Sequence, residues 1–427
     1  MKKSILLLLI IVYFNFNSVT VSAQNTLTAD SISLTLTEAE SLFLKNNFSL
    51  IAANYKISEA EAATIQAKIW ALPTLSIDQG AYNHQTKNWF STGKDGQTAI
   101  SLQQFIELGG KRKKRIAIEK INSEIAGCAF YDLMRSLRYD LRSAFYHLYY
   151  LQKANLIYNE EIEALQNLIK GFTIQYANGN ISFNELTRLK TLLFSIENEK
   201  VNLTNDASTY QRTLTLLTGD TLLRKIKPVA EWENMPLFKA DTYSLMQVLD
   251  TTMLHRYDVL AAQKQIKQNE LNLALQKKIN IPDLTLGANY DKSGSYINNY
   301  NSVSLQFDLP FWNRNKGNIR IADFQVKESQ NEFIQKQMEA KTEVEKAYTN
   351  LIAVTKLVDK TKQDFTTEYE KLRSGILKGY QNRTINLLEF LDYYENFKQS
   401  QIQFYQLQNN YLDAVEEFNF STGKIWN

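Results

Sequence analysis

The chain has 427 residues, 44% hydrophobic and 22% charged, with a formal net charge of +3. That is too apolar for a disordered polymer, and near-balanced charge supplies no global field for a nucleic acid. With 15 Gly and 5 Pro over this length, long uninterrupted elements are expected, and a lone cysteine, Cys128, rules out an internal disulfide.

The chain opens with Lys2 and Lys3, an apolar run from Ser4 to Phe14, and the small-residue site Val21-Ser22-Ala23. This order predicts a secretory leader over residues 1–23. After Gln24 no stretch is apolar for the roughly 20 residues of a spanning helix. The exported chain is therefore soluble, surface-exposed, or inserted through short alternating strands.

A helix is expected over about residues 36–70, from the spacing of Leu42, Leu50 and Ala53, with Pro73 ending it. Two alternating runs follow. Leu75, Ile77 and Ala81 share one face against Thr74, Ser76 and Asp78. Thr98, Ile100 and Leu102 alternate with Ala99, Ser101 and Gln103. The intervening Asn83–Gly96 reads as a polar loop. Alternation with one polar face fits a strand between lipid and water, or an amphipathic hairpin in a soluble sandwich. A very long helix is expected from about Arg112 to Lys170, spanning about 90 Å at 1.5 Å per residue. A break over Gly171–Asn180 and a return helix over 182–217, closed by Thr218-Gly219, complete the unit.

Residues 220–240, with Pro228 and Pro236, read as a connector. The same series then repeats: a helix over 241–279, Pro282, and strands carrying Leu284, Leu286, Ala288 and Tyr290, then Val303, Leu305, Phe307 and Leu309. Between those strands lies a polar loop, Asp291–Asn299. A run free of Pro and Gly extends from Asn318 to Ser374, followed by a break at Gly375–Arg383, a helix over 384–421, and Thr422-Gly423.

The repetition is visible residue by residue. Ser49-Leu50-Ile51-Ala52-Ala53 matches Asp258-Val259-Leu260-Ala261-Ala262, and the same spacing places Pro73 on Pro282 and Leu75 on Leu284. Slightly shorter spacings align Ser101-Leu102-Gln103 with Ser304-Leu305-Gln306, Gly171 with Gly375, Tyr176 with Tyr380, and Glu185 with Glu389. The expected organisation is thus a leader (1–23), a first repeat (24–219), a connector (220–240) and a second repeat (241–427).

Three segments resemble those of the TolC-like outer membrane efflux protein family. Gln103-Gln104-Phe105-Ile106-Glu107-Leu108-Gly109-Gly110-Lys111-Arg112 is similar to its strand-to-helix segment, and Leu309-Pro310-Phe311-Trp312-Asn313-Arg314 to the second-half counterpart. Tyr176–Leu186 is similar to its periplasmic-tip turn. The resemblance covers essentially the whole exported chain. It implies a mostly α fold with a small β-barrel part: a trimeric α-barrel/β-barrel with four strands per protomer and two internal repeats. It implies an outer-membrane export duct extending into the periplasm, with no catalysis and no cofactor. The implied partners are two further copies, outer-membrane lipid, a periplasmic adaptor and an inner-membrane pump of the resistance-nodulation-division type. The Gly-Gly-Lys-Arg form is similar to the heavy-metal branch. The rival reading is a helical-bundle structural protein without a pore.

The resemblance also places functional residues. Glu389 and Asp392 fall on the segment that rings the closed tunnel end, three apart on one helix face. In a trimer that gives six carboxylates at a constriction. Glu185 and Arg188 occupy the matching first-half positions and would latch the tip. The alternative is a solvated helix face. Tyr176, Gly179, Ser182, Tyr380 and Arg383 mark the tip turns, expected to dock the adaptor, or to be plain hairpin turns. The basic run at Lys111 and Arg112 is expected at anionic head groups, or as a solvated helix start. Trp89, Phe90, Phe311 and Trp312 are expected in an aromatic girdle, or in packing at the helix–barrel junction. His84, His147 and His255 show no metal-ligand spacing, so no metal is expected to be held. His147 and Cys128 are expected to be packing residues. Hydrolase, zinc-protease and phosphate-loop motifs do not occur.

Overall fold

The structure, a computed structural model, describes residues 31–232, 237–238, 242–293, 297–312, 314–361, 372, 375–376 and 378–426. The expected leader, residues 1–23, and Asn313 lie outside the described residues. The first half contains β1 (Ser31–Leu34), α1 (Leu36–Asn46), α2 (Phe48–Ala67), β2 (Thr74–Gln79), β3 (Tyr82–Asn83), β4 (Asn88–Trp89), β5 (Thr98–Ile106), α3 (Lys111–Ala177), α4 (Phe183–Thr218) and β6 (Lys225–Pro228). The second half contains α5 (Leu245–His255), α6 (Tyr257–Lys278), β7 (Leu284–Ser293), β8 (Asn298–Phe307), α7 (Lys316–Thr361) and α8 (Leu387–Thr422).

The first helix of each half is broken in two, where the sequence suggested one. Thr35 starts α1 with a capping box to Glu38. Asn47 then leaves the helix at φ −66° and ψ 116° and caps α2 through Leu50 N. Its amide donates 3.0 Å to the carbonyl of Leu217 at the end of α4. The second half repeats the device with another residue. Arg256 breaks α5 from α6 and donates to the carbonyl of Ser421 at 3.3 Å. Gly219 (φ +64°) and Gly423 (φ +71°) close the return helices against the same breaks. A Cβ on them would lie 2.5 Å from Asn46 O and 3.0 Å from His255 O. The waist of the molecule is therefore built twice. The helices α2 and α6 stop several residues before Pro73 and Pro282, so these prolines start the extended segments and do not end the helices.

The central rod, α3, has 67 residues, about 100 Å at 1.5 Å per residue. Gly171 lies inside it, contrary to the expected break. The chain turns only at Asn178–Ser182, because one glycine in a long packed helix costs about 1 kcal/mol, too little to end it. Residues 375–376 are likewise helical, and the second turn falls at 382–386.

Around the waist, Phe43, Leu141, Phe145, Leu214 and Ile226 form one core cluster, capped by Trp232. Val248, Val344, Leu351, Phe418 and Trp426 form another. Full burial of a side chain such as Phe145 contributes about 1.5–3 kcal/mol. The parallel pair β1–β6, with Ile32 opposite Ile226, closes the first cluster. It lies partly in the expected connector and was not read from the sequence, because four-residue strands carry almost no periodic signal.

The strands β2-β5-β7-β8 form one antiparallel sheet in that order. Its register aligns Leu75, Leu102, Ala288 and Val303 in one row across all four strands, and Ser76, Ser101, Asn289 and Ser302 in the adjacent row on the opposite face. The faces are those the alternation predicted. The expected loop Asn83–Gly96 is entered through a small hairpin, with Tyr82 opposite Trp89 and Asn83 opposite Asn88.

Candidate functional site

Two regions concentrate functional chemistry: the far end of the long hairpins and the junction between sheet and helices. At the hairpin end, α3 turns into α4 through Gly179 at φ +73°, with Gly179 N bonded to Tyr176 O and Asn180 N to Gln175 O. Ser182 caps α4 by accepting from Glu185 N at 3.1 Å. The second hairpin uses the same geometry with Arg383 in glycine's place, at φ +58°, its N bonded to Tyr380 O. Asn386 caps α8, and Glu389 closes the capping box at 3.0 Å.

Glu185 and Tyr380 join the two hairpins: the Tyr380 hydroxyl donates to Glu185 Oε1 at 3.1 Å. The Tyr380 ring is stacked between Phe172 and Phe390, with centroids 5.1 and 4.4 Å away. Burial, then the adjacent Glu185 carboxylate, pushes the Tyr380 phenol well above its ordinary pKa. Among the described residues no ion pair joins Glu185 to Arg188 within the chain. Arg188, Arg383 and Glu389 are exposed and line, with Glu185, a cleft of about 690 Å³ between the hairpins. Asp392 is exposed one turn after Glu389. Further along the seam, Tyr394 donates to Glu161 O at 3.3 Å. The buried Lys398 pairs with Glu199 at 2.9 Å and Glu395 at 3.1 Å.

At the junction, Lys111 is turned inward and is 5% exposed. Its Nζ lies 2.8 Å from Asp283 Oδ2 and 2.6 Å from Ile281 O, while Asp283 Oδ1 accepts from Leu108 N at 2.9 Å. The expected head-group contact of Lys111 is thereby corrected: a carboxylate of the other repeat takes its charge. Gly109 (φ +71°) passes directly under Ile281, where a Cβ would meet Cδ1 at 2.7 Å. Arg112 is half-buried, its guanidinium 4.1 Å from the Trp70 ring centroid and bonded to Lys68 O. Phe311 and Trp312 follow β8 in the matching turn and are 66% and 96% exposed. Trp89 and Phe90 lie on the small hairpin beyond β2, at the opposite end of the sheet.

No described helix is long and apolar enough to cross a membrane. The sheet, by contrast, exposes its apolar row: Leu75, Leu102 and Val303 are 60%, 50% and 82% accessible. A family model for outer membrane efflux protein matches residues 40–220 and 248–424, one block in each repeat. The chain belongs to the outer membrane efflux protein family. It is an outer-membrane efflux channel that extends into the periplasm, and the other members of this family are channels too. It is similar to the cobalt-zinc-cadmium resistance protein CzcC of Cupriavidus metallidurans, with 23% identity over 373 residues, covering 87% of this chain and 85% of that protein. The fold is that of the Campylobacter jejuni CmeC outer membrane channel (TM-score 0.76, 16% identity, 91% of this chain and 85% of that one). It is also that of the Vibrio cholerae outer membrane protein VceC (TM-score 0.71, 16% identity, 92% of this chain and 97% of that one).

In this efflux-family chain the sequence reading missed the polar seams between the halves. His147, expected as packing, pairs through Nε2 with Asp413 at 2.7 Å and stacks on Tyr210 at 4.5 Å. Arg142 bridges Glu40 at 2.5 Å and Glu416 at 2.9 Å. Burial raises the Glu416 pKa although Arg142 opposes it. Helical spacing would have put Arg142 and His147 on α3, but their partners come from α1, 102 residues away, and from α8, more than 260 residues away. Cys128 is buried, as expected.

Proposed function

We propose that three copies of this chain close one twelve-stranded barrel, and that their helices form a tunnel leading from it into the periplasm. The supporting observation is the sheet itself. Its apolar row faces no other layer, and β2 and β8 are left as open edges. Barrel closure is how such edges are satisfied in lipid. The helices favour the same closure. In the first half α3 packs between α2 and α6, whereas α7 packs on α6 and has no comparable packing with α2 among the described residues. A neighbouring copy's α2 fits that position.

The tunnel's far end, at Tyr176, Gly179, Ser182, Tyr380 and Arg383, docks a periplasmic adaptor that links it to a resistance-nodulation-division pump. Glu389 and Asp392 ring the constriction, and the Tyr380–Glu185 bond, with Arg188 beside it, holds the two hairpins in the closed arrangement. Arg112, Trp89 and Phe90 sit at the two lipid–water boundaries. The two repeats, 24–219 and 241–427 around the 220–240 connector, are the barrel's paired staves. The similarity to CzcC, named for cobalt, zinc and cadmium resistance, favours metal cations as cargo. The test is the mass of the detergent-solubilised protein together with its conductance in a planar bilayer. Trimers that carry discrete current steps are expected. A monomer without current would refute the reading.

A further inference from the structure

We propose that the turn between β8 and α7 of one copy packs on the turn between α2 and β2 of the next, with Phe311 and Trp312 closing over Leu72 and Trp70. The inference rests on barrel closure by several copies, and on the chain already containing one worked version of this contact. Within a protomer, the turn after β5 meets the turn before β7. There Ile281 fills the space above Gly109, and Asp283 holds Leu108 N and Lys111. The duplication places Leu72 where Ile281 stands and Thr74 where Asp283 stands. It places the turn carrying Leu309, Phe311 and Trp312 where residues 106–110 stand.

The second version therefore lacks the carboxylate clamp and carries large apolar side chains instead. Its two halves sit on opposite edges of one protomer, at β2 and β8, so they meet only between copies. Both are bare in the single chain. Leu72 is 81% exposed, and Trp312, at 96%, is the most exposed of the large hydrophobic residues described. Trp70 has Arg112 over its ring and still remains more than half exposed. Phe311 and Trp312 are set edge to face with centroids 6.0 Å apart, presenting one joint aromatic surface. Apolar contact at this boundary replaces the ion pair that locks the intramolecular one.

The test places a photoreactive benzoylphenylalanine at position 72 of the full chain in outer membranes. Illumination is expected to give a subunit–subunit adduct whose cross-linked peptide maps to residues 308–315. Independently, Trp312→Ala is expected to lower the temperature at which trimers dissociate on detergent gels by several degrees, and Trp312→Phe to restore most of the loss. Trimers that form without such an adduct, or that keep wild-type heat resistance with both Phe311 and Trp312 changed to Ala, would overturn the contact. In that case the aromatic pair faces lipid, and barrel closure stands. A chain that remains monomeric when solubilised would overturn closure and this contact together.

Discussion

The hydroxyl of Tyr380 donates to the carboxylate of Glu185 across 3.1 Å, tying the turn of the second long hairpin to the first helical turn after the other. The donor cannot move aside cheaply, because its ring is stacked between Phe172 and Phe390. In the proposed trimer, this bond would have to break for the two hairpins to part at the far end of the tunnel.

Tyr380→Phe keeps the stacked ring and deletes a hydrogen bond to a carboxylate, a net loss of about 1.5–3 kcal/mol. The variant is expected to fold and insert normally and to spend more time in its larger conductance state. Single-channel recordings in a planar bilayer check this, and unchanged open probability would remove Glu185 from the gate.

Replacing Glu389 and Asp392 together by Ala removes six carboxylates from a trimer. Block by added divalent cations is expected to weaken, because a like-charged constriction concentrates cations. Glu389 also closes the capping box of α8 from its N3 position, so a loss of about 0.3–1.5 kcal/mol in stability accompanies the change. Glu389→Gln keeps the box and separates the two effects: cation block should weaken while the melting temperature holds.

Gly179 and Arg383 hold the same left-handed position in the two tips, at φ +73° and +58°. Substitutions there should act with opposite signs. Gly179→Val forces a branched side chain into a conformation that costs about 1–2 kcal/mol, and is expected to abolish adaptor cross-linking while leaving trimers intact. Arg383→Gly relieves the same cost and should raise tip stability. Hydrogen exchange of residues 376–390 measures the second effect, and an adaptor cross-link retained in Gly179→Val would argue against docking at this turn.

Lys111 and Asp283 form a mostly buried pair across the junction, so removing one partner leaves the other charge uncompensated. Lys111→Met is expected to destabilise by about 3–5 kcal/mol. The double variant Lys111→Met with Asp283→Leu should recover part of that loss. Heat-induced mobility shifts of the membrane protein on gels give the ranking. A single variant as stable as wild type would show the clamp to be idle.

Asp258 supplies the pH dependence at the waist. Burial raises its pKa, but the bonds and charge of Arg256, with Arg135 further off, outweigh burial and hold it below the ordinary value. A carboxylate depressed in the folded state stabilises above its unfolded pKa of about 3.9 and loses that contribution as pH falls through the folded value. Asp258→Asn should therefore melt below wild type at neutral pH, with the gap closing under strongly acidic conditions. A gap independent of pH would assign the loss to packing.

The repeat, the helix-hairpin-helix order and the two faces of the sheet were legible in the sequence because each is a local, periodic property. Leu75 and Leu284 set the parity of the strands, whereas Pro73 and Pro282, read as helix ends, lie beyond helices that had already stopped at Ala67 and Lys278. Local signals misled where packing outweighs propensity. Gly171 reads as a breaker, yet it sits in a helix held along its length by neighbours. The helix over 36–70 reads as continuous, yet Asn47 breaks it to reach Leu217.

The sequence by itself determined the duplication, the rods, the alternating strands and the tip turns, because backbone chemistry and hydrophobic spacing act over a few residues. Only the tertiary structure decided that Lys111 turns inward to Asp283, that Glu185 is held by Tyr380 and not by Arg188, and that His147 belongs to Asp413. Those choices depend on which distant segments come within about 3 Å, the reach of a hydrogen bond. Spacing along one chain carries no record of that distance.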